Sequence, residues 1–371
     1  MQVKLENSGH LVTLVEPPIA SGGEAHLYAL ANTDKYLAKL YHAPTGELAF
    51  KVGTMIARPP DDPMRAWGHP SIAWPLERLV TPGNDPFFVG YLMPRVQNMW
   101  PIFHFYNPKT RRQLSPLFHY RYLVRTARNL AAACAALHAR GYVIGDVNES
   151  NILVSETALV TLVDTDSFQV PTDERLFRCP VGKPEFTPPE LQEVHFRDVD
   201  RKPEHDAFGL AVLIFMLEME GIHPFSGRLL EGDEPEPLGQ RIADGHFPYS
   251  VLRRGPYEPM PLAPPIGLLH PDIRALMRQC FEVGFSRPAG RPNATAWKQA
   301  LDVAENSLVQ CKVNAQHYYR TGMGACPWCE RAARLSGWDP FPSRESVASG
   351  DHMKPPVTYV PPVTAGTEKK G

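Results

Sequence analysis

The sequence predicts an α+β fold, and three observations carry that expectation. Leu11-Val-Thr-Leu-Val15 is an apolar run suited to the first strand, and Phe87 to Met93 is another of strand length, leading into Pro94. Leu123, Ala127, Leu130, Ala131, Cys134 and Leu137 recur at helical spacing, so Tyr120 to Arg140 is expected as a buried helix with Cys134 as core packing. Beyond it, Asn151 to Val163 reads as two short strands with a turn at Ser155-Glu156-Thr157, a hairpin that returns Asp164 to the side of Asn151.

The residues at the two ends of that hairpin carry the chemistry. Asp146 stands five residues before Asn151 in Gly145-Asp146-Val147-Asn148-Glu149-Ser150-Asn151, and Asp164 ends the next apolar run. One base and two metal ligands in that order suit phosphoryl transfer, which asks a protein to orient a hydroxyl and to hold cations against phosphate oxygens. Asp146 is expected to accept the hydroxyl proton, and Asn151 and Asp164 to hold Mg2+ or Mn2+. An Asx-capped loop before an ordinary hairpin accounts for the same residues without chemistry. Upstream, the backbone of Ala20-Ser21-Gly22-Gly23 can approach phosphate, and Lys39 can supply a point charge, although a glycine pair alone is more often a turn.

In order along the chain, these segments resemble the eukaryotic-like Ser/Thr protein kinase superfamily, in a divergent bacterial branch. Ile19 to Tyr28 resembles the glycine-rich phosphate loop, Lys39 the lysine of the next strand, and Phe87 to Val96 the last strand and hinge. Asp146 to Asn151 resembles the catalytic loop, Asp164 the metal-binding motif, and Thr187-Pro188-Pro189-Glu190 the Ala-Pro-Glu motif. His205 to Leu217 resembles the hydrophobic central helix, followed by His223-Pro224-Phe225 and by Arg291. The matches run in the family's order from residue 19 to 292.

The resemblance implies a two-lobed fold for residues 1–305, with a small β-rich lobe over 1–93 and a mostly helical lobe over 97–305. It implies ATP held by Ala20, Ser21, Gly22, Gly23, Leu27 and Lys39, with Met93 at the gatekeeper place and Val96 offering backbone groups to adenine. Lys39, Asp146, Asn151 and Asp164 are the implied catalytic set. Glu190 would pair with Arg291, and Asp206 would brace the catalytic loop through its backbone. A kinase also pairs its lysine with a helical Glu, and Glu47 is the early candidate; it reads equally as a first-turn acid stabilised by the helix dipole. Arg58 to Pro70 is then a loop before the sheet resumes at Ile72.

Departures from the family pattern bear on substrate and regulation. Ile144-Gly145 stands where His-Arg is usual, Asn148 where a phosphate-contacting Lys is usual, and Asp166 where the metal-binding motif ends in Gly. Ala20 and Ala25 replace the outer glycines of the phosphate loop, and Ala211 replaces a glycine of the central helix. The first reading is an ATP-dependent Ser/Thr protein kinase acting on a protein substrate and on itself. A nucleotide-binding pseudokinase scaffold in signalling is the second, and a small-molecule kinase of the aminoglycoside phosphotransferase kind the third. Because Gly145 cannot grip a phosphate, activity is expected without phosphorylation of the activation segment.

Composition agrees with a large enzyme: 371 residues, 43% hydrophobic, with a net charge of −2 that offers no field for nucleic acid or membrane. The longest apolar stretch, Leu210 to Leu217, is too short to span a bilayer, and no signal peptide is recognisable, so a cytoplasmic location is expected. Three of the six cysteines cluster with a histidine over residues 306–338: Cys311, His317, Cys326 and Cys329 have the spacing of a Cys3His structural zinc site. Cys326-Pro-Trp-Cys329 also reads as a redox pair, and without metal His317 is a core histidine. Residues 339–371, rich in Pro, Ser and Thr, are expected to be a disordered linker or tail.

Overall fold

The computed structural model describes residues 1–232 and 234–354. Its N-terminal part is a curled antiparallel sheet of seven strands, β1 (Gln2–Leu5), β2 (Leu11–Thr13), β3 (Ala20–Ser21), β4 (Ala25–Leu30), β5 (Thr33–Tyr41), β6 (Glu77–Val80) and β7 (Phe88–Pro94). Their spatial order is β2-β1-β6-β7-β5-β4-β3. Leu11–Val15 is not the first strand of the sheet: Gln2–Leu5 precedes it and pairs with it, Val3 opposite Val12. The polar residues flanking Val3 hide that strand in the sequence, because only Val3 itself is fully buried.

Lys39 lies in β5 between Leu27 of β4 and Tyr91 of β7. The crossing behind it requires glycine, since a Cβ on Gly90 would sit 1.9 Å from the Lys39 carbonyl oxygen. Helix α1 (Gly46–Ala57) follows β5; Thr45 caps it, its Oγ1 accepting from the Leu48 N–H at 3.2 Å. Ile72 does not resume the sheet. It bridges Leu162 in parallel, and the sheet returns at Glu77.

The rest of the chain is mostly helical. Strand β8 (Met99–Pro101), α2 (Phe103–Tyr106) and α3 (Pro108–Leu114) lead to α4 (Tyr120–His138), in which all six residues of the expected apolar stripe are buried. Strands β9 (Ile152–Ser155) and β10 (Val160–Leu162) form the expected hairpin, with Val154 opposite Val160, and β8 adds a third strand. The pair β11 (Val170–Pro171) and β12 (Leu176–Phe177) follows, then α5 (Pro203–Glu218), buried from Asp206 to Glu218 on every face. An apolar helix with no polar face must be surrounded by protein, and α5 forms the centre of one large core. Strands β13 (Arg228–Leu229) and β14 (Tyr257–Glu258) and helices α6 (Leu238–Ala243), α7 (Pro271–Arg278), α8 (Gly284–Ser286) and α9 (Ala294–Asn306) complete that part.

The chain ends with a hairpin of β15 (Leu308–Gln310) and β16 (Tyr318–Arg320), then α10 (Pro327–Arg334) and α11 (Arg344–Ala348). Residues 339–354 therefore correct the expectation of a disordered tail from Asp339. Phe341 is 1% exposed, Ser343 caps α11 through the Ser346 N–H, and Arg112 donates to the His352 carbonyl. A single large aromatic among prolines and serines anchors the segment. The remainder of the expected tail, 355–371, lies outside the described residues. No helix among the described residues is long and apolar enough to cross a membrane.

Candidate active site

A pocket of about 540 Å³ lies under the β3–β4 turn. Ala20, Ser21, Gly22, Gly23, Leu27, Lys39, Met93, Val96 and Asp164 all line it. The antiparallel register brings these distant residues together: β5 places Lys39 beside Leu27, and the hairpin return places Asp164 beneath. Val163 N–H donates to the Asn151 carbonyl at 3.0 Å, which fixes Asp164 next to the loop that carries Asp146 and Asn151.

Lys39 Nζ donates to Asp164 Oδ1 at 2.8 Å and to Asp166 Oδ1 at 2.6 Å. Asp166 is buried, and its carboxylate also accepts from Tyr41 Oη at 2.6 Å and Tyr91 Oη at 2.8 Å. Burial alone would raise the Asp166 carboxyl, but the Lys39 charge and the three donors hold it below its ordinary value. Burial likewise opposes the Lys39 charge, yet Asp166 and Asp164 leave its ammonium above the ordinary lysine value. Helix α1 contributes a cation to this cluster: Lys51 Nζ donates to the Asp166 carbonyl at 2.5 Å, and burial pulls its ammonium below the usual range.

Glu47 is not the partner of Lys39. Its side chain, 71% exposed, accepts from Arg175 Nη1 at 2.6 Å. It sits in the first turn of α1, where the helix is only beginning, while Lys51 one turn later faces inward. Asp166, the residue that departs from the family's glycine, supplies the carboxylate instead.

In the loop between α4 and β9, Asn151 Nδ2 lies 3.4 Å from Asp146 Oδ2, and Asp146 Oδ1 is buried without a hydrogen-bond partner among the described residues. An unpaired buried carboxylate oxygen is costly to maintain. Asn148, in the place of a family lysine, is buried and caps the short turn through the Ser150 N–H at 2.8 Å. Lys183 Nζ approaches from the activation segment and donates to Ser150 Oγ at 3.1 Å.

Two side chains anchor this loop. Asp206, at the start of α5, accepts from the Ile144 N–H at 2.7 Å, the Gly145 N–H at 2.8 Å and His138 Nε2 at 2.9 Å. Gly145 has φ +76°, and a Cβ there would meet Cys179 Cβ at 2.7 Å, so both the backbone and the space demand glycine. The buried guanidinium of Arg201 donates to the Gly145 carbonyl and, at 2.6 Å, to the Val181 carbonyl of the activation segment. Further along, Glu190 and Arg291 form a two-pronged pair with both contacts at 2.6 Å.

Comparison with protein-family profiles finds no match. The chain is 36% identical over 329 residues to the protein kinase YegI of Escherichia coli strain K12, covering 87% of this chain and 49% of that protein. It is 36% identical over 317 residues to the protein kinase YegI of Escherichia coli O157:H7, covering 84% and 48%. The similarity supports a kinase-family relationship. The chain spans about half the length of the curated relatives it matches.

Sequence reasoning missed Asp166, Lys51, Arg201 and the two tyrosines. Each acts by reaching across from another element, and no local spacing announces that. Asp166 alone gave a signal: an acid two residues after Asp164 where the family motif has glycine.

Proposed function

We propose that this chain is the catalytic part of an ATP-dependent protein kinase with a two-lobed arrangement, transferring the ATP γ-phosphate to Ser or Thr hydroxyls of a protein, including its own. The observation that carries this reading is the 2.8 Å contact of Lys39 with Asp164 at the floor of a pocket bounded by the Gly22-Gly23 turn. Met93 and Val96 would meet the adenine, and the backbone at Ala20 to Gly23 the phosphates. Asn151 and Asp164 would hold Mg2+, which supplies counter-charge to the phosphate oxygens. Asp146 takes the proton from the attacking hydroxyl, its other oxygen, Oδ2, lying 3.4 Å from Asn151 Nδ2. Lys39, held by Asp166, keeps a fixed positive charge over the phosphate path.

Two further observations support parts of the reading. Glu190–Arg291 fixes the segment after the catalytic loop as a docking surface, which favours a protein over a small molecule as acceptor. Arg201 already ties the activation segment to the Gly145 carbonyl, so no phosphate is needed there and activity is expected without activation-segment phosphorylation. Self-phosphorylation is assigned to acceptors after Asp339 such as Thr358, Thr364 and Thr367. A net charge of −2 fits acceptors other than nucleic acid or membrane. The test is incubation with γ-labelled ATP, Mg2+ and a generic protein substrate. Transfer by the wild type and none by Asp146→Asn supports the reading. Nucleotide binding without transfer to any protein replaces it with a pseudokinase scaffold.

A further inference from the structure

We propose that Cys311, His317, Cys326 and Cys329 bind one structural Zn2+, and that Asp339 orients the histidine ligand and so couples the metal to the packing of residues 339–354. The donor atoms of the four residues all lie within 4.8 Å of one another. Zinc–sulfur bonds of about 2.3 Å and zinc–nitrogen bonds of about 2.0 Å, at tetrahedral angles, require ligand separations of roughly 3.5 to 3.8 Å. His317 Nδ1 lies 3.4 Å from Cys329 Sγ and 3.5 Å from Cys326 Sγ, and Cys311 Sγ lies 3.7 Å from Cys329 Sγ. A disulfide needs sulfurs about 2.05 Å apart, so the 3.7 Å sulfur pair has the spacing of co-ligands rather than of a covalent bridge.

Local structure explains why these four meet. The β15–β16 hairpin joins Cys311 to His317 through the Cys311 N–H and the His317 carbonyl at 2.9 Å. Cys326 immediately precedes α10, and Cys329 lies in its first turn, the knuckle that wraps one cation. Both Asp339 carboxylate oxygens contact His317 Nε2, at 2.9 and 3.0 Å. That contact keeps the ring proton on Nε2 and leaves the Nδ1 lone pair facing the sulfurs, as a carboxylate behind a metal-bound histidine does.

Asp339 also connects the cluster to residues 340–354. Asn314 Nδ2 donates to Asp339 Oδ2 at 3.1 Å and to the Phe341 carbonyl at 3.0 Å. Trp328, between the two knuckle cysteines, packs on Phe341 with ring centres 4.6 Å apart and on Tyr120 of α4 at 4.9 Å. None of these residues lines the nucleotide pocket, so metal binding here stands apart from phosphotransfer.

The test is metal analysis of the full chain purified without chelator, followed by exchange with Co2+. We expect about one zinc per chain, and a cobalt derivative with sulfur-to-metal charge-transfer absorption. Asp339→Asn is expected to keep the stoichiometry but weaken zinc affinity about 10- to 100-fold. It is also expected to increase hydrogen exchange at residues 341–349, measured on the zinc-loaded protein. Because Cys326→Ser with Cys329→Ser can fail to fold, chelator treatment of the wild type, with titration of newly reactive thiols, gives the independent reading. Zinc-free protein whose thiols react without chelator, or whose Cys326 and Cys329 form a disulfide, overturns the site. Unchanged zinc affinity in Asp339→Asn overturns the role of Asp339.

Discussion

Lys39 Nζ lies 2.6 Å from Asp166 Oδ1, so the lysine at the floor of the pocket takes its charge partner from the loop that also carries Asp164. Helix α1 offers Lys51 at the inward position and Glu47 at an outward one. The carboxylate that orients Lys39 and the carboxylate assigned to the metal are thus two residues apart, and one turn of backbone sets both.

Replacing Asp166 by Asn is expected to lower stability by about 3 kcal/mol, because it leaves the buried Lys39 short of a counter-charge. Phosphotransfer should fall with it. Glu47→Gln should change stability by no more than about 0.5 kcal/mol, its pair with Arg175 being exposed. Denaturant unfolding of both variants checks this, and the reverse order of effects would return Glu47 to the role of partner. The Asp166 carboxyl is held low, so the stability it contributes is present above the unfolded carboxylate value and is lost as pH falls through the folded one.

Asp146→Asn and Asp164→Asn are each expected to reduce phosphotransfer at least about 10²-fold while leaving the fold intact. They should differ in binding. Asp164→Asn removes a metal ligand and should weaken Mg-nucleotide binding, whereas Asp146→Asn should leave it within a few-fold. Calorimetric titration with a non-hydrolysable nucleotide separates the two, and equal losses of affinity would contradict the assigned roles.

Phosphatase-treated enzyme is expected to keep its initial rate, and Arg201→Met to lose about tenfold, which is ~1.4 kcal/mol of transition-state free energy. Arg201 supplies by two carbonyl contacts the link that a phosphate would otherwise make. A large loss on dephosphorylation that phosphate on Thr172 restores would show the segment to be switched after all.

Glu218, at the end of α5, is buried, with Tyr120 Oη 3.3 Å away as its hydrogen-bond donor. Burial pushes its carboxyl up to about 8, the Tyr120 bond opposing only in part. The folded state therefore holds a proton that the unfolded chain releases near pH 4.5, and stability contributed here falls as pH rises from about 4.5 to 8. Glu218→Gln should remove that decline, so its advantage over the wild type grows to a few kcal/mol, on the order of the shift itself, by pH 9. Parallel melting curves for the two proteins at pH 6 and pH 9 would refute the assignment.

Elements with a strong period or a local motif were legible in the sequence. The α4 stripe from Leu123 to Leu137 and the hairpin that returns Asp164 are readable from spacing, and the Lys39 pocket from the order of motifs. Val3 was not legible, because one buried residue between polar neighbours leaves no alternation to detect. Residues 339–354 mislead because composition averages over a segment, while a single aromatic, Phe341, decides whether it packs. The Lys39 partner is hidden for a different reason. Charge pairs 127 residues apart follow from register and crossing, which a linear spacing rule cannot contain.

Residues 339–354 also determine where this protein can be cut. Arg111 is 1% exposed; its guanidinium donates to the Phe105 carbonyl at 2.6 Å and the Pro340 carbonyl at 3.3 Å, and lies 4.6 Å from the Phe341 ring centre. A polypeptide stopped after α9 would strip that cation of a carbonyl and a ring while uncovering Tyr120, and would pour an apolar face of α4 into water. A polypeptide meant to fold on its own therefore has to keep Pro340 and Phe341, and the cysteine-bearing hairpin that precedes them is a building part of the helical body.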